Sequence, residues 1–199
     1  MIKQTSRPQQ GMALISGMLL LLVVTIIGLS MFRSFGIQAR IAGNTREKQR
    51  ALHTAEAAQS FAEWWLSSSA GGNATAGSEC TDLLSVEAGK TQVCSNKLTG
   101  NVAAVPWKNG GKEVGIQYTP TGLGMTGADA YFQPPRFYIA YLDGTYDKAT
   151  GTQVNSYRID ATGYGGNPNT ASVVESAYRV SVTYTTLKDK LKFVSLSGP

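Results

Sequence analysis

Few side chains in this sequence could do chemistry. There is one histidine, His53, and there are two cysteines, Cys80 and Cys94. Nucleophile–base catalysis needs a base beside the nucleophile, and His53 alone, within a helical stretch, supplies no such constellation; no enzyme and no cofactor is expected. The cysteines form no CxxC and the histidine is remote from them, so a metal site is not expected either. The two thiols could be inert and buried, but an even count in an exported chain more often means a disulfide. Closing a loop of roughly 15 residues would contribute about 3 kcal/mol by the chain-entropy estimate. It would pin a Gly/Ser-rich stretch with little else to bury. Asp143-Gly144-Thr145-Tyr146-Asp147 matches a calcium loop only loosely, lacking the Asp/Asn alternation and terminal Glu of an EF-hand. Asp-Gly between strands is itself a turn signal, so a hairpin loop is the simpler reading. The cluster Gly163-Tyr164-Gly165-Gly166 lacks the strand-then-helix setting of a phosphate cradle.

A polar-to-apolar boundary lies at Gln9-Gln10-Gly11-Met12. From Met12 to Phe32 no residue is charged, and about 20 apolar residues suffice for a helix to cross the bilayer core. A secretory signal has a shorter apolar run and a small-residue cleavage site after it; here the run ends in Phe32-Arg33-Ser34-Phe35. A leader, residues 1–11, precedes it, with Lys3 and Arg7 as its charged side chains. This arrangement resembles a type IV prepilin. The resemblance implies a prepilin peptidase that cuts after Gly11 on the cytoplasmic side and methylates the new amino terminus of Met12. The family usually has Phe and Glu at the first and fifth mature positions, where this chain has Met12 and Ser16. A carboxylate inside a membrane costs on the order of 3 kcal/mol and so exists to meet a partner. In pilins that partner is a neighbouring subunit's amino group. Ser16 cannot make the contact, which is the pattern of subunits at or near a filament tip and argues against the major subunit.

A second resemblance follows the membrane segment. Ala42-Gly43-Asn44, the charged run Thr45-Arg46-Glu47-Lys48-Gln49-Arg50 and Ala55-Glu56-Ala57-Ala58 look very like the N-terminal region of PilX-family minor pilins. Tyr157-Arg158-Ile159-Asp160-Ala161-Thr162-Gly163 and Tyr178-Arg179-Val180 also look familiar. The resemblance implies a minor pilin incorporated in, or priming assembly of, type IV pili, in a tip or initiation complex. It implies as partners the peptidase, other minor pilins, the major pilin, a tip adhesin and inner-membrane lipid. Its location would be the inner membrane with the head in the periplasm, then the extracellular pilus. A minor pseudopilin of type II secretion would share the junction and the missing Glu, and a single-span envelope enzyme or binding domain is the alternative from another class.

The formal net charge is +5, but Arg33, Arg40, Arg46, Lys48 and Arg50 crowd one helical segment after the span. A solvated or headgroup-facing helix surface explains them better than a nucleic-acid footprint. They outnumber Lys3 and Arg7 and would by themselves place the head in the cytoplasm; the cytoplasmic cleavage implied by the resemblance and the cysteine pair oppose that.

The elements that must position these residues follow from periodicity. The predicted helix covers 12–66, with 12–32 in the membrane and 33–66 as an amphipathic spine, about 80 Å long. Its stripe is Phe35, Ile41, Leu52, Ala55, Ala58, Phe61, Ala62 and Trp65. Gly17 and Gly28 would let neighbouring helices approach closely, or are ordinary membrane-helix composition. A Ser/Gly connector after Leu66 leads into a head, 67–199. Thr81-Asp82-Leu83-Leu84 reads as a short helix or turn. Strands are expected at Arg136–Leu142, Tyr157–Gly163 and Ser172–Thr186, with a weaker one at Val114–Thr119. Tyr131, Phe132, Phe137, Tyr138 and Tyr141 could be adhesive, though alternating strand aromatics are more often core. The expected fold is α+β: a long membrane-spanning helix packed on a small antiparallel sheet, the pilin lollipop, burying Phe61 with Trp64 or Trp65.

Overall fold

The computed structural model describes residues 10–68 and 77–183. The leader residues 1–9 and the Ser/Gly connector at 69–76 lie outside them. The chain divides into two compact units, Met1–Arg46 and Glu47–Pro199. One helix, α1 (Gln10–Ser67), contributes to both. No proline interrupts it, and at Gly17, Gly28, Gly36 and Gly43 an added methyl group would meet nothing. These glycines therefore do no packing work among the described residues.

In the second unit a five-stranded sheet has the spatial order β1 (Leu83–Ser85), β4 (Gly115–Gln117), β5 (Arg136–Asp147), β6 (Thr152–Tyr164) and β7 (Ala171–Thr183). β4 to β7 are antiparallel neighbours, whereas β1 joins β4 in parallel. The sheet is mixed where a wholly antiparallel one was expected, and Leu83-Leu84 lies in a strand where a helix or turn was expected. A short apolar pair has no period of its own, so a distant partner, Gly115–Gln117, decides its conformation. A small hairpin, β2 (Lys108–Asn109) and β3 (Lys112–Glu113), turns through Gly110 and Gly111, both at positive φ.

The three long strands contain the expected ones and extend them; residues 184–186 of the expected third strand lie outside the described residues. Asp143–Asp147 is neither a calcium loop nor a hairpin loop. It continues β5 past a bulge between Tyr141 and Asp143 and pairs with Thr152–Ser156. The turn comes later. There the Asp147 carboxylate accepts from Ala149 N at 2.9 Å and Thr150 Oγ1 at 2.8 Å, bonds that hold its pKa below the ordinary carboxylate value. At Gly144, which suggested a turn, a Cβ would fall on the Tyr141 hydroxyl and the ends of the Asn155 and Gln153 side chains, which would have to move aside.

Strand alternation sorts the side chains onto two faces. Phe137, Ile139, Tyr157, Ile159 and Ala161 meet Ala58, Ala62 and Leu66 of α1. Tyr138 and Ala140 on the opposite face meet Cys80, Cys94, Trp107 and Val114. The second unit thus stacks helix, sheet and disulfide-bearing segment in three layers. The helical seat is Ala51, Ala55, Ala58, Ala62 and Leu66, all fully buried, with Phe61 and Trp65 packed beside them. Leu52 is 39% exposed and Trp64 is 61% exposed, and Phe35 and Ile41 are exposed as well; none of these four belongs to the buried stripe.

Candidate functional site

In the first unit the apolar part of α1 has no cover. Large side chains from Met12 to Phe32 are all exposed, reaching 77% at Phe32. Burying one such side chain is worth about 1.5–3 kcal/mol, so the segment calls for lipid or other helices around it. Its hydroxyls suit that setting. Ser16 Oγ donates to the Ala13 carbonyl at 3.1 Å and Thr25 Oγ1 to the Leu22 carbonyl at 2.8 Å. Each is satisfied by its own helix, as hydrocarbon requires. The position where a carboxylate would need an outside partner therefore carries a side chain that needs none. Gly11 and Met12 lie in the first turn of α1.

The second unit begins with a clamp. The Glu47 carboxylate accepts from Arg50 Nη1 at 2.7 Å and from the Gly166 backbone N–H at 2.5 Å. Arg50 also donates through Nη2 to the Asp129 carbonyl and lies 4.3 Å above the Tyr131 ring. Its hydrogen bond to the Glu47 carboxylate raises the Arg50 pKa above its ordinary value. Lys48 Nζ donates to the Ala171 carbonyl at 2.9 Å. The charged run after Asn44 is thus not all solvated surface, as the sequence suggested. Arg50 ties the helix to the loop before β5, Glu47 ties it to the loop between β6 and β7, and Lys48 ties it to the first residue of β7. A Glu–Arg pair one turn apart beside an alanine stripe is the signal that could have revealed it. Arg50→Ala removes two charge-assisted hydrogen bonds and the ring contact. It is expected to cost the folded unit about 2 kcal/mol in chemical denaturation; a loss below about 0.5 kcal/mol would mean that the clamp is a surface ornament.

Cys80 and Cys94 are disulfide-bonded, with Cα atoms 5.4 Å apart. Cys94 N donates to the Ile139 carbonyl at 2.7 Å, and the Cys94 carbonyl accepts from Tyr141 N at 3.3 Å. The bridge therefore holds the cross-linked segment against the edge of β5 beyond the end of β4. Asn96 secures the other end, accepting from Cys80 N at 2.8 Å and contacting the Tyr138 hydroxyl at 2.7 Å. Burial, reinforced by the Asp160 charge, pushes the Tyr138 pKa up to about 12. Of the aromatic residues considered as adhesive, Phe137 and Tyr138 in β5 are buried, whereas Phe132, ahead of the strand, is exposed.

Below the same layer lies Asp160, which sequence reasoning did not single out. It is fully buried, accepts from Arg158 Nε at 3.0 Å, and its Oδ1 has no partner among the described residues. Burial raises its pKa against the opposing pull of Arg158, with Glu175 adding to the rise. No group of three His, Cys, Asp or Glu side chains able to hold a metal occurs among the described residues.

Two family models match the chain: PilX N-terminal over residues 10–59, and Type IV pilus assembly protein PilX C-term over residues 86–180. The first takes in the apolar helix and the clamp residues; the second takes in β4, β5, β6 and most of β7. Comparison with curated proteins and with solved structures gives no match. With its uncovered apolar helix, its α+β second unit and both halves of one family's pattern, the chain belongs to the PilX family of type IV pilus minor pilins.

Proposed function

We propose that the protein is cut by prepilin peptidase after Gly11 and methylated at Met12. It is held in the inner membrane by Met12–Phe32, with its disulfide-bearing head in the periplasm, and then moves into the pilus. Its work there is to prime assembly, or to complete a tip complex with other minor pilins, the major pilin and an adhesin. The observation that supports this best is Ser16, whose hydroxyl is satisfied by the Ala13 carbonyl. A membrane segment without a carboxylate, as Met12–Phe32 is, has no anionic group to offer an incoming subunit's amino terminus. It can still exchange lipid for neighbouring helices at little difference in apolar environment. Such a subunit fits the beginning of a filament better than its repeating body.

The junction is testable by substitution. Gly11→Trp is expected to leave the leader attached, keep the chain in the membrane fraction and reduce surface pili, read by immunoblot of sheared filaments and by electron microscopy. Normal piliation with an uncut chain would overturn the assignment of the cleavage site.

A further inference from the structure

Of the cations that follow the apolar span, Lys48 and Arg50 are bonded to the loops and strand of the second unit. Arg33 and Arg40 lie in the first unit. Arg33 follows Phe32 directly, and from Met12 to Arg46 the chain has no acidic residue. Arg40 is exposed and makes no ion pair among the described residues. Seven residues bring a helix within about 20° of two full turns, so positions 33 and 40 share one side of α1. Ile37 lies between them on that side, and Ile41 and Asn44 extend the stripe. Ile37 and Ile41 are 61% and 60% exposed. Large apolar side chains thus stay uncovered for about two and a half turns beyond the charge-free span, interleaved with cations alone. That is the composition of a helix segment at headgroup depth rather than in water.

We propose that this stripe binds the phosphates of anionic phospholipid headgroups, on the side of the membrane where the head lies. Depth decides which cations take part. A hydrocarbon core of about 30 Å in a bilayer of about 40–45 Å leaves roughly 5–7 Å of headgroup on each side. Position 33 stands at the inner edge of that layer. The Arg40 Cα is about 12 Å beyond Phe32 along the axis, but the Cα–Cβ bonds of a helix tilt toward its N-terminus, here toward the membrane. A long arginine side chain therefore returns its guanidinium to the headgroup layer, where its fork of donors matches a phosphate. Arg46, about 21 Å beyond Phe32, is out of reach. Entry into a filament removes the phosphates from these arginines, whereas the apolar span meets an equivalent environment there, so the pair favours the membrane-held subunit. The inference rests on the reading of Met12–Phe32 as a membrane anchor and does not depend on cleavage at Gly11.

The test mixes the full chain in detergent with phosphatidylglycerol or with phosphatidylcholine of the same acyl chains, and reads the lipid retained on it by native mass spectrometry. Two cations at an anionic headgroup are expected to favour phosphatidylglycerol roughly tenfold or more. Arg33→Gln combined with Arg40→Gln is expected to bring the two lipids to equal retention. Arg33→Lys combined with Arg40→Lys keeps the preference, because a point charge still attracts phosphate. Arg46→Gln leaves it unchanged, as does excess inorganic phosphate at constant ionic strength. Equal retention by the unsubstituted chain, a preference that survives the double Gln exchange, or one abolished by Arg46→Gln overturns the proposal. Loss of the preference to inorganic phosphate assigns the site to the free anion and likewise overturns it. Retention of neither lipid contradicts the anchor itself, and the proposal with it.

Discussion

Gly163→Ala is expected to lower the stability of the folded unit by about 3 kcal/mol, and Gly163→Val to prevent the chain from accumulating in the envelope. At Gly163 the end of β6 passes close against α1. A Cβ there would come within 2.5 Å of Thr54 Oγ1, the Ala51 carbonyl oxygen and the Ala55 backbone nitrogen, far inside van der Waals contact. Two of those three atoms are helix backbone and cannot rotate away, so the helix must shift as a body. The shift would open the packing that buries Ala51, Ala55, Ala58 and Ala62 against the sheet. Overpacking a core commonly costs 1–3 kcal/mol, and here rigid neighbours put the effect at or above the top of that range. With total stabilities of about 5–15 kcal/mol, the larger substitution consumes much of what is available. Denaturant titration of the detergent-solubilised chain, followed by tryptophan fluorescence, measures it. A loss under about 1 kcal/mol for Gly163→Ala would show that the helix is not seated on β6 as described.

Arg158→Ala is the second large effect, and it depends on pH. Asp160 is fully buried and its one described hydrogen-bond partner is Arg158. The groups facing it are Tyr138 across the β5 pairing and Glu175 across the β7 pairing. Removing the guanidinium leaves an uncompensated buried charge, a change that typically costs about 3–5 kcal/mol; Arg158 is partly exposed, so the lower figure applies. The sign follows from the raised Asp160 pKa. Below the unfolded value, about 4, the carboxyl is neutral in both states and contributes nothing. As pH rises from there through the folded value, the unfolded chain releases its proton more readily, and folding loses stability. Removal of Arg158 pushes the folded value still higher. The deficit of the variant is therefore complete at neutral pH and shrinks on acidification toward pH 4. Asp160→Asn in the same chain should recover most of the loss at pH 7. A deficit equal at pH 4 and pH 7, or one untouched by Asp160→Asn, would mean that Arg158 acts through packing alone.

These two sites also show what the sequence could and could not reveal. The helix was legible because its signals are local: a charge-free span, no proline, then small residues three and four apart. Which residues form the seat was less legible. Spacing admitted Leu52 to the stripe, yet Leu52 is exposed while Ala51 is buried, because the helix turns the face of positions 51, 55, 58 and 62 toward the sheet and 52 lies about 100° away from it. Trp65 rather than Trp64 packs on the core for the same reason of angle around the helix. Alternation on β7 was readable from Val174 to Val182, as expected for a strand with one face packed. The parallel pairing of β1 was not, since Leu83 and Gly115 are distant in the chain. Nor did the sequence distinguish Asp143-Gly144 as strand from Asp143-Gly144 as turn. The Gly144 spacing against Asn155 and Gln153 exists only once β5 and β6 are paired. Asp160 was visible as a charge within an expected strand, but not its burial, which comes with its place on β6 between Tyr138 of β5 and Glu175 of β7.

The junction and the membrane helix remain the centre of the account, and the mass of the mature chain tests them most directly. Pili sheared from cells and stripped of the major subunit should yield a polypeptide that begins at Met12, carries one methyl group on its amino nitrogen and retains the bond between Cys80 and Cys94. A polypeptide that still begins at Met1 in cells whose prepilin peptidase is active would contradict the account.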